Sequence, residues 1–229
     1  VPYTGEVSPG GPSDVRELPD AVIRKASVSV QDNNAYLITC RATGEQLLID
    51  AADDFSRLLA LVGEGGEGGT GLAGGTGLAR VVTTHQHWDH HRALAEMLAA
   101  TGARCAVGRD DAAGLSVAVD ELLEDGDVVT VGDLRLTVRQ LRGHTPGSIA
   151  LLLHGGDGSW HAFTGDSLFP DGVGNTWGDT ARFASLINDV EQRLFAALPD
   201  QAWVYPGHGR DTTIGAERPQ LARWHERGW

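Results

Sequence analysis

Apolar positions along the chain fall into short strand-like runs and one long helical stripe. Ser27-Val28-Ser29-Val30 alternates polar and apolar, which predicts a half-buried strand within 21–30. Residues 35–40 (AYLITC) and 46–49 (QLLI) flank Thr43-Gly44-Glu45 and predict a hairpin. Asp50, Asp53 and Asp54 close it, at the start of a helix to about residue 62, where acids suit the helix dipole. Residues 79–83 (ARVVT) form a buried strand, and 92–100, rich in Ala, Leu, Glu and Met, a helix ended by Thr101-Gly102. A strand at 105–107 and a helical turn at 110–114 follow. Paired strands are expected at 127–131 and 134–141, and a second hairpin at 149–153 and 160–163. Phe183, Leu186, Ile187, Val190 and Leu194 recur at helical spacing and mark 180–198 as the longest helix. A last strand at 203–205 and a short helix at 218–227 complete the pattern. Strands interleave with helices throughout, so the fold class is α+β, with helices available to cover a sheet core.

Length and charge narrow this picture. The 229 residues, 41% of them hydrophobic, suffice for a sizeable core, and a single domain over 1–229 is expected. Four prolines in residues 1–20 predict an extended arm, and the glycine-rich stretch 63–77 a flexible surface insertion. That stretch has no lysine and no G-x-G-x-x-G opening a helix, which argues against a phosphate-binding loop. Lys and Arg total 18 against 31 Asp and Glu, a formal charge of −13. Such a surface repels phosphate backbones and anionic lipid, so the expected partner is a small molecule, not nucleic acid or a membrane. No run reaches the ~18 apolar residues of a membrane span, and residues 1–20 lack the apolar centre of a secretory signal. Cys40 and Cys105 lie in separate apolar runs and read as core residues in a reducing compartment, so a cytoplasmic location is expected.

The chemistry concentrates in Thr84-His85-Gln86-His87-Trp88-Asp89-His90, which reads H-x-H-x-D-H directly after a strand. Imidazole suits zinc, copper, iron or nickel, and carboxylate oxygen suits harder ions. His85 and His87 are two apart, so in extended backbone they share a face and can grip one ion. Asp89 and His90 fall where the chain turns into the next helix and point toward a second ion. Three further polar residues sit beside glycine at strand ends: His144 in Gly143-His144-Thr145-Pro146-Gly147-Ser148, Asp166 in Gly165-Asp166, and His208 in Gly207-His208-Gly209. A rigid strand delivers such a side chain, and glycine lets backbone approach closely. His91, His154, His161 and His225 match no motif. His91 is expected on a helix surface, and His154 and His161 in structural roles.

Taken in order, these motifs resemble the metallo-β-lactamase superfamily over about residues 21–210. The resemblance implies an αββα sandwich of two mixed β-sheets flanked by helices, with metals in a cleft at one edge. Carried over, His85, His87 and His144 would bind a first metal, Asp89, His90 and His208 a second, and Asp166 would bridge them. Two divalent ions are implied, zinc expected, with iron or manganese as alternatives. The implied reaction is attack of a metal-bridged hydroxide on a carbonyl, with Asp89 orienting the hydroxide or carrying its proton. Trp88 and Trp177 are candidates to line a pocket. The loop from Phe169 through Asn175 to Trp177, following the bridging Asp, would overhang the metals and contact substrate.

Within the superfamily the sequence is most similar to glyoxalase II-like thioester hydrolases in their short form. Only 21 residues follow His208, too few for the helical domain that holds glutathione in the long form. His90 and the lack of a second-site cysteine disfavour the zinc β-lactamases common in resistance, and the absence of a basic groove disfavours nucleases. The alternatives are a mono-iron persulfide dioxygenase, a lactonase or β-lactamase-type hydrolase, and a non-catalytic metal-binding module. The last is disfavoured because a structural zinc site is closed by four ligands with no open position.

Overall fold

A computed structural model describes residues 2–66 and 77–228. Seven strands form the first sheet in chain order: β1 (Asp14–Glu17), β2 (Ala21–Ser27), β3 (Asn34–Cys40), β4 (Gln46–Ile49), β5 (Leu78–Thr83), β6 (Arg104–Gly108) and β7 (Glu121–Leu123). β1 to β4 are antiparallel, and β4 to β7 parallel. The second sheet comprises β8 (Val128–Val131), β9 (Leu134–Gln140), β10 (Ile149–His154), β11 (Trp160–Gly165), β14 (Trp203–Pro206) and β15 (Thr212–Thr213), in that spatial order. A small pair, β12 (Leu168–Phe169) and β13 (Gly172–Val173), follows β11.

The sequence of β3, NAYLITC, shows why the sheets stack. It is buried along its whole length, because both faces are covered. Ile38 points inward with Ile23 and Leu47, and meets Leu136, Leu151 and Phe163 of the second sheet. Leu37, one residue away, points outward with Leu48 onto Leu58 and Leu61 of α1 (Phe55–Gly66) and Met97 of α2 (Leu94–Thr101). The outer face of the second sheet is covered likewise. Leu152 and Val204 pack on Leu186 and Val190 of α3 (Thr180–Val190), while α4 (Ile214–Glu217) leads into α5 (Leu221–Arg227), which adds Trp224. Each fully buried Leu, Ile or Phe contributes about 1.5–3 kcal/mol. The layers are helix, sheet, sheet, helix: the expected αββα sandwich.

Several boundaries differ from expectation. The alternation at 27–30 does not extend β2, because Asp32 N donates to Ser29 O (3.0 Å) and Asp32 takes a φ of 58°, so the chain turns. Val30 is consequently 97% exposed. Within the N-terminal segment, residues 14–17 form an edge strand on β2, which its polar sequence had concealed. The long helix of 180–198 is regular only to Val190, then widens into one π-helical turn where Ala196 N donates to Glu191 O (2.8 Å). Of the glycine-rich stretch, Gly63–Gly66 continue α1, and residues 67–76 lie outside the described residues. Cys40 and Cys105 are both free and buried. Among the described residues no helix is long and apolar enough to cross a membrane.

The topology gathers the motifs at one edge. β9, β11 and β14 run in the same sense, so residues 141–148, Asp166 and His208 follow their C-terminal ends together. Ile149 N donates to Thr84 O (3.0 Å), which pins the end of β5 to that edge.

Candidate metal centre

The H-x-H-x-D-H motif is held at its root by Asp50, which takes a φ of 58° just past β4. The Asp50 carboxylate accepts from Thr84 N (2.7 Å) and Thr84 Oγ1 (2.8 Å), and lies 3.0 Å from His90 Nδ1. One buried carboxylate thus ties together the two ends of the motif. His85 Nε2 and His87 Nδ1 come to 3.1 Å, and with His144 they form a group whose ligand atoms all lie within 4.8 Å of one another. Asp89, His90 and His208 form a second such group, with His90 Nε2 3.1 Å from His208 Nε2.

Asp166 stands between them. Its Oδ1 is 3.4 Å from His90 Nε2, and its Oδ2 is 3.7 Å from His144 Nε2 and 3.5 Å from His208 Nε2. All seven expected ligands therefore converge. Glycine makes this possible at Gly207, where a Cβ would run into Asp166 Oδ1 and meet His90 Cε1 at 2.7 Å.

The remote nitrogens of the rings are also engaged. His144 Nδ1 donates to Asn175 O (2.9 Å) and His208 Nδ1 to Gln31 O (2.9 Å), while His90 Nδ1 faces Asp50. Fixing one ring nitrogen turns the lone pair of the other into the centre. Two of the inward atoms, His144 Nε2 and Asp166 Oδ1, are buried without a hydrogen-bond partner. An unsatisfied buried polar atom costs about 1–3 kcal/mol, a cost that a coordinated cation removes. The residues fit a divalent metal pair: borderline nitrogen donors, carboxylate oxygens and orphaned atoms aimed at shared points.

Electrostatics divides the centre in two. Burial pushes His85 well below its ordinary range and His144 down to about 4, and lowers His87 as well. Burial opposes charge on His90 too, yet Asp166 and then Asp50 outweigh it and raise that imidazole to about 10. His208 is raised by Asp89 and Asp166 against the effect of burial. Asp89 is held well below the usual carboxylate range, chiefly by its hydrogen bond with His208, and by Asn33 against the effect of burial. Asp166 is lowered despite burial by His90, His208 and His144.

Three residues that sequence reasoning missed hold these candidate ligands in place. Asp50 read only as a helix-capping acid. Asn33, just after the turn at Asp32, donates from its Nδ2 to Asp89 O and Asp89 Oδ2, both at 3.0 Å. Asp111, in the turn Arg109–Gly114, accepts from Gln86 N (3.0 Å), Gly147 N (2.7 Å) and Thr145 Oγ1 (2.5 Å), joining the two His-bearing loops. A carboxylate or amide beside a turn carries no local signal of such a role. His91 departs from its expected surface position: it is buried, with Nε2 3.1 Å from Gln86 O. His161 is buried between Ser159 and Tyr205, and the His154 ring packs at a tilt against Trp160.

A cleft of about 940 Å³ opens beside His87, walled by Trp177, Pro146 and Arg182. Trp177 is 56% exposed, stacks on His144 (5.4 Å between rings) and carries Arg182 over its face at 4.6 Å. The other three expected contact residues are not among those lining the cleft. Trp88 is 58% exposed against His91, Phe169 is half-buried on β12, and Asn175 supplies its carbonyl to His144 and its side chain to Trp177 N.

Comparison with known proteins agrees with this geometry. Residues 28–208 match the model of the metallo-beta-lactamase superfamily. The chain belongs to that superfamily. It is 36% identical over 177 residues to a hydroxyacylglutathione hydrolase from Polaromonas sp., covering 77% of this chain and 62% of the relative. A similar hydrolase from Fuscovulum blasticum is 35% identical over 181 residues, covering 78% and 63%. The chain spans about three fifths of the length of these curated relatives. Among solved structures, ETHE1 from Myxococcus xanthus superposes with a TM-score of 0.72 at 31% identity, covering 88% of this chain and 84% of that one. TTHA1623 in a di-iron-bound form has a TM-score of 0.63 at 31% identity, covering 84% and 95%. Membership in the superfamily, together with the donor set, implies divalent metal ions at this centre.

Proposed function

We propose that this chain is a binuclear metal-dependent hydrolase acting on a thioester of a small acyl group. The observation that carries this reading is the position of Asp166, whose two oxygens reach toward His144 of one donor group and His90 and His208 of the other. The kinship to hydroxyacylglutathione hydrolases supports a thioester.

In this reading His85, His87 and His144 hold one ion, Asp89, His90 and His208 the other, and Asp166 both. When bound, such a pair lowers the pKa of water to near neutrality and polarises a carbonyl oxygen. The chain's own residues prepare that chemistry. His85, His87 and His144 are kept neutral by burial, so their lone pairs are available at neutral pH. Asp89 stays ionised, gripped by Asn33 and His208, and is assigned the orientation of the attacking water. Trp177 offers the substrate a partly exposed indole at the rim. A thiolate leaves without strong acid assistance, so no further proton donor is required.

The test has two parts, on protein purified without chelators or nickel. Elemental analysis is expected to give close to two equivalents of zinc, iron or manganese per chain. Thiol release is then followed across hydroxyacyl and acyl thioesters of glutathione, coenzyme A and simple mercaptans, beside a lactone and an activated ester. Two equivalents of metal with no thiol release from any thioester would overturn the thioester reading. One equivalent of iron with oxygen uptake on a persulfide would replace hydrolysis with oxygenation.

A further inference from the structure

Lys25 is 0% exposed, an extreme position for a lysine, and it lies outside the metal centre. Its ammonium donates three hydrogen bonds: to Gly5 O (2.9 Å), Gly209 O (2.7 Å) and Asp211 Oδ1 (2.6 Å). An ammonium has three protons to donate, so this set saturates it. The acceptors come from two separate stretches, the N-terminal segment and the loop after β14. Asp211 is engaged on both oxygens, since its Oδ2 accepts from Tyr3 Oη (2.6 Å) and Trp203 Nε1 (2.8 Å). Removing either charge would strand the other in the interior, which is costly.

The loop so gripped carries His208. Gly209 O, adjacent to that ligand, takes a second hydrogen bond from Asn34 Nδ2 (3.0 Å), and Gly209 N donates to Asp32 O (3.1 Å). On the other side of His208, Gly207 N donates to Gly165 O (2.9 Å) and Asn34 N to Gly207 O (2.8 Å). The peptides either side of His208 are thus fixed by β2, β3, the turn at Asp32 and β11, and the N-terminal segment acts on them through Lys25 and Asp211. No comparable contact from Lys25 reaches His85, His87 or His144 among the described residues.

We infer that Lys25, with Asp211 and the segment at Tyr3–Gly5, is a positioning cluster that sets His208 and so selectively strengthens metal binding at the Asp89–His90–His208 group. The inference rests on the ligand assignment proposed above. It makes the N-terminal segment part of the metal centre's support, although none of its residues touches a ligand.

The experiment titrates the metal-free 229-residue chain with zinc against a chromophoric chelator, which resolves two binding steps. Lys25→Met is expected to weaken one step about tenfold or more, the loss typical of removing a ligand's outer support, and to leave the other within about twofold. Lys25→Met/Asp211→Leu removes both charges, leaves no stranded carboxylate, and should weaken the same step. Should these variants fold poorly, Tyr3→Phe deletes one hydrogen bond to Asp211 and should weaken that step alone, about two- to threefold. His208→Ala is the reference and must abolish the same step. If both steps fall together, or neither moves in any variant while His208→Ala behaves as expected, the cluster is merely structural and the inference fails. If His208→Ala leaves both steps intact, the ligand assignment itself is wrong and the inference falls with it.

Discussion

The two donor groups are neighbours built on opposite electrostatic plans. The first, His85, His87 and His144, is all imidazole, and burial drives its members toward the neutral state. The second contains Asp89 and faces Asp50 and Asp166, so His90 is raised to about 10 and His208 is raised as well. Without a cation, protons take the cation's place in the second group, while the first group stays empty of charge. The first group is therefore ready for metal at neutral pH, whereas the second must release a proton to receive it.

Asp166 is the one residue that both plans share, and its loss should have the largest effect. Asp166→Ala is expected to abolish bound metal in the second group, weaken it in the first, and reduce thioester hydrolysis by roughly 1,000-fold or more, as expected when metal charge stabilisation of several kcal/mol is lost. Metal analysis and initial rates check this, with circular dichroism to show that the fold persists. A variant that kept both metals and its rate would remove the bridge from the centre. Asp50→Ala should separate the groups. It strips His90 of its partner and should weaken the second binding step about 10–100-fold. Equal weakening of both steps would mean that Asp50 serves the fold of the motif through Thr84 and not His90 in particular.

pH sharpens the same contrast. His90, raised to about 10, must lose its proton before its Nε2 can coordinate, so affinity at the second group should climb about tenfold per pH unit between 7 and 9. The first group is already neutral there, and its affinity should stay flat. Parallel slopes for both steps would contradict the division. Stability of the metal-free protein gives an independent reading of His144. Its folded value of about 4 lies below the ordinary 6.5, so the folded state binds the proton less well than the unfolded chain. The stability contributed is present above 6.5 and is lost as pH falls from there to about 4. Thermal melts over that window should show the decline, and His144→Gln should lessen it.

The sequence made the candidate ligands legible and their supports invisible, for a physical reason. His85, His87, Asp89 and His90 advertise themselves because clustered imidazoles have few other uses, and His144, Asp166 and His208 because glycine marks each strand end. The layers were legible in the runs at β3, β4 and β10, where burial on both faces demands continuous apolar sequence. Asn33, Asp50, Asp111 and Lys25 reach the centre or its support through partners far away in the chain, from 20 to 186 residues distant. At such separations only the folded sheets create the contact. β1 stayed hidden because an exposed edge strand can be polar, and Val30 misled because alternation specifies extended backbone but not a neighbour to pair with.

The smallest expected effect on turnover belongs to Trp177, and it tests whether the rim is distinct from the centre. Its indole stacks on His144 yet presents most of its surface to the cleft, and its φ of 54° is a conformation that bulky residues rarely adopt. Strained backbone of this kind persists where the surroundings over-determine it, often at ligand clamps. Here the surroundings are Asn175 Oδ1, which accepts from Trp177 N (2.7 Å), and Arg182, which covers the ring while donating to Gly143 O (2.8 Å). An aromatic contact contributes about 0.5–1.5 kcal/mol beyond its area, so Trp177→Ala should raise KM about three- to tenfold. kcat should hold, because His144 keeps its hydrogen bond to Asn175 O. A fall in kcat with KM unchanged would move Trp177 from substrate binding to support of His144. That outcome would show the first donor group depending on its aromatic neighbour as the second depends on its carboxylates.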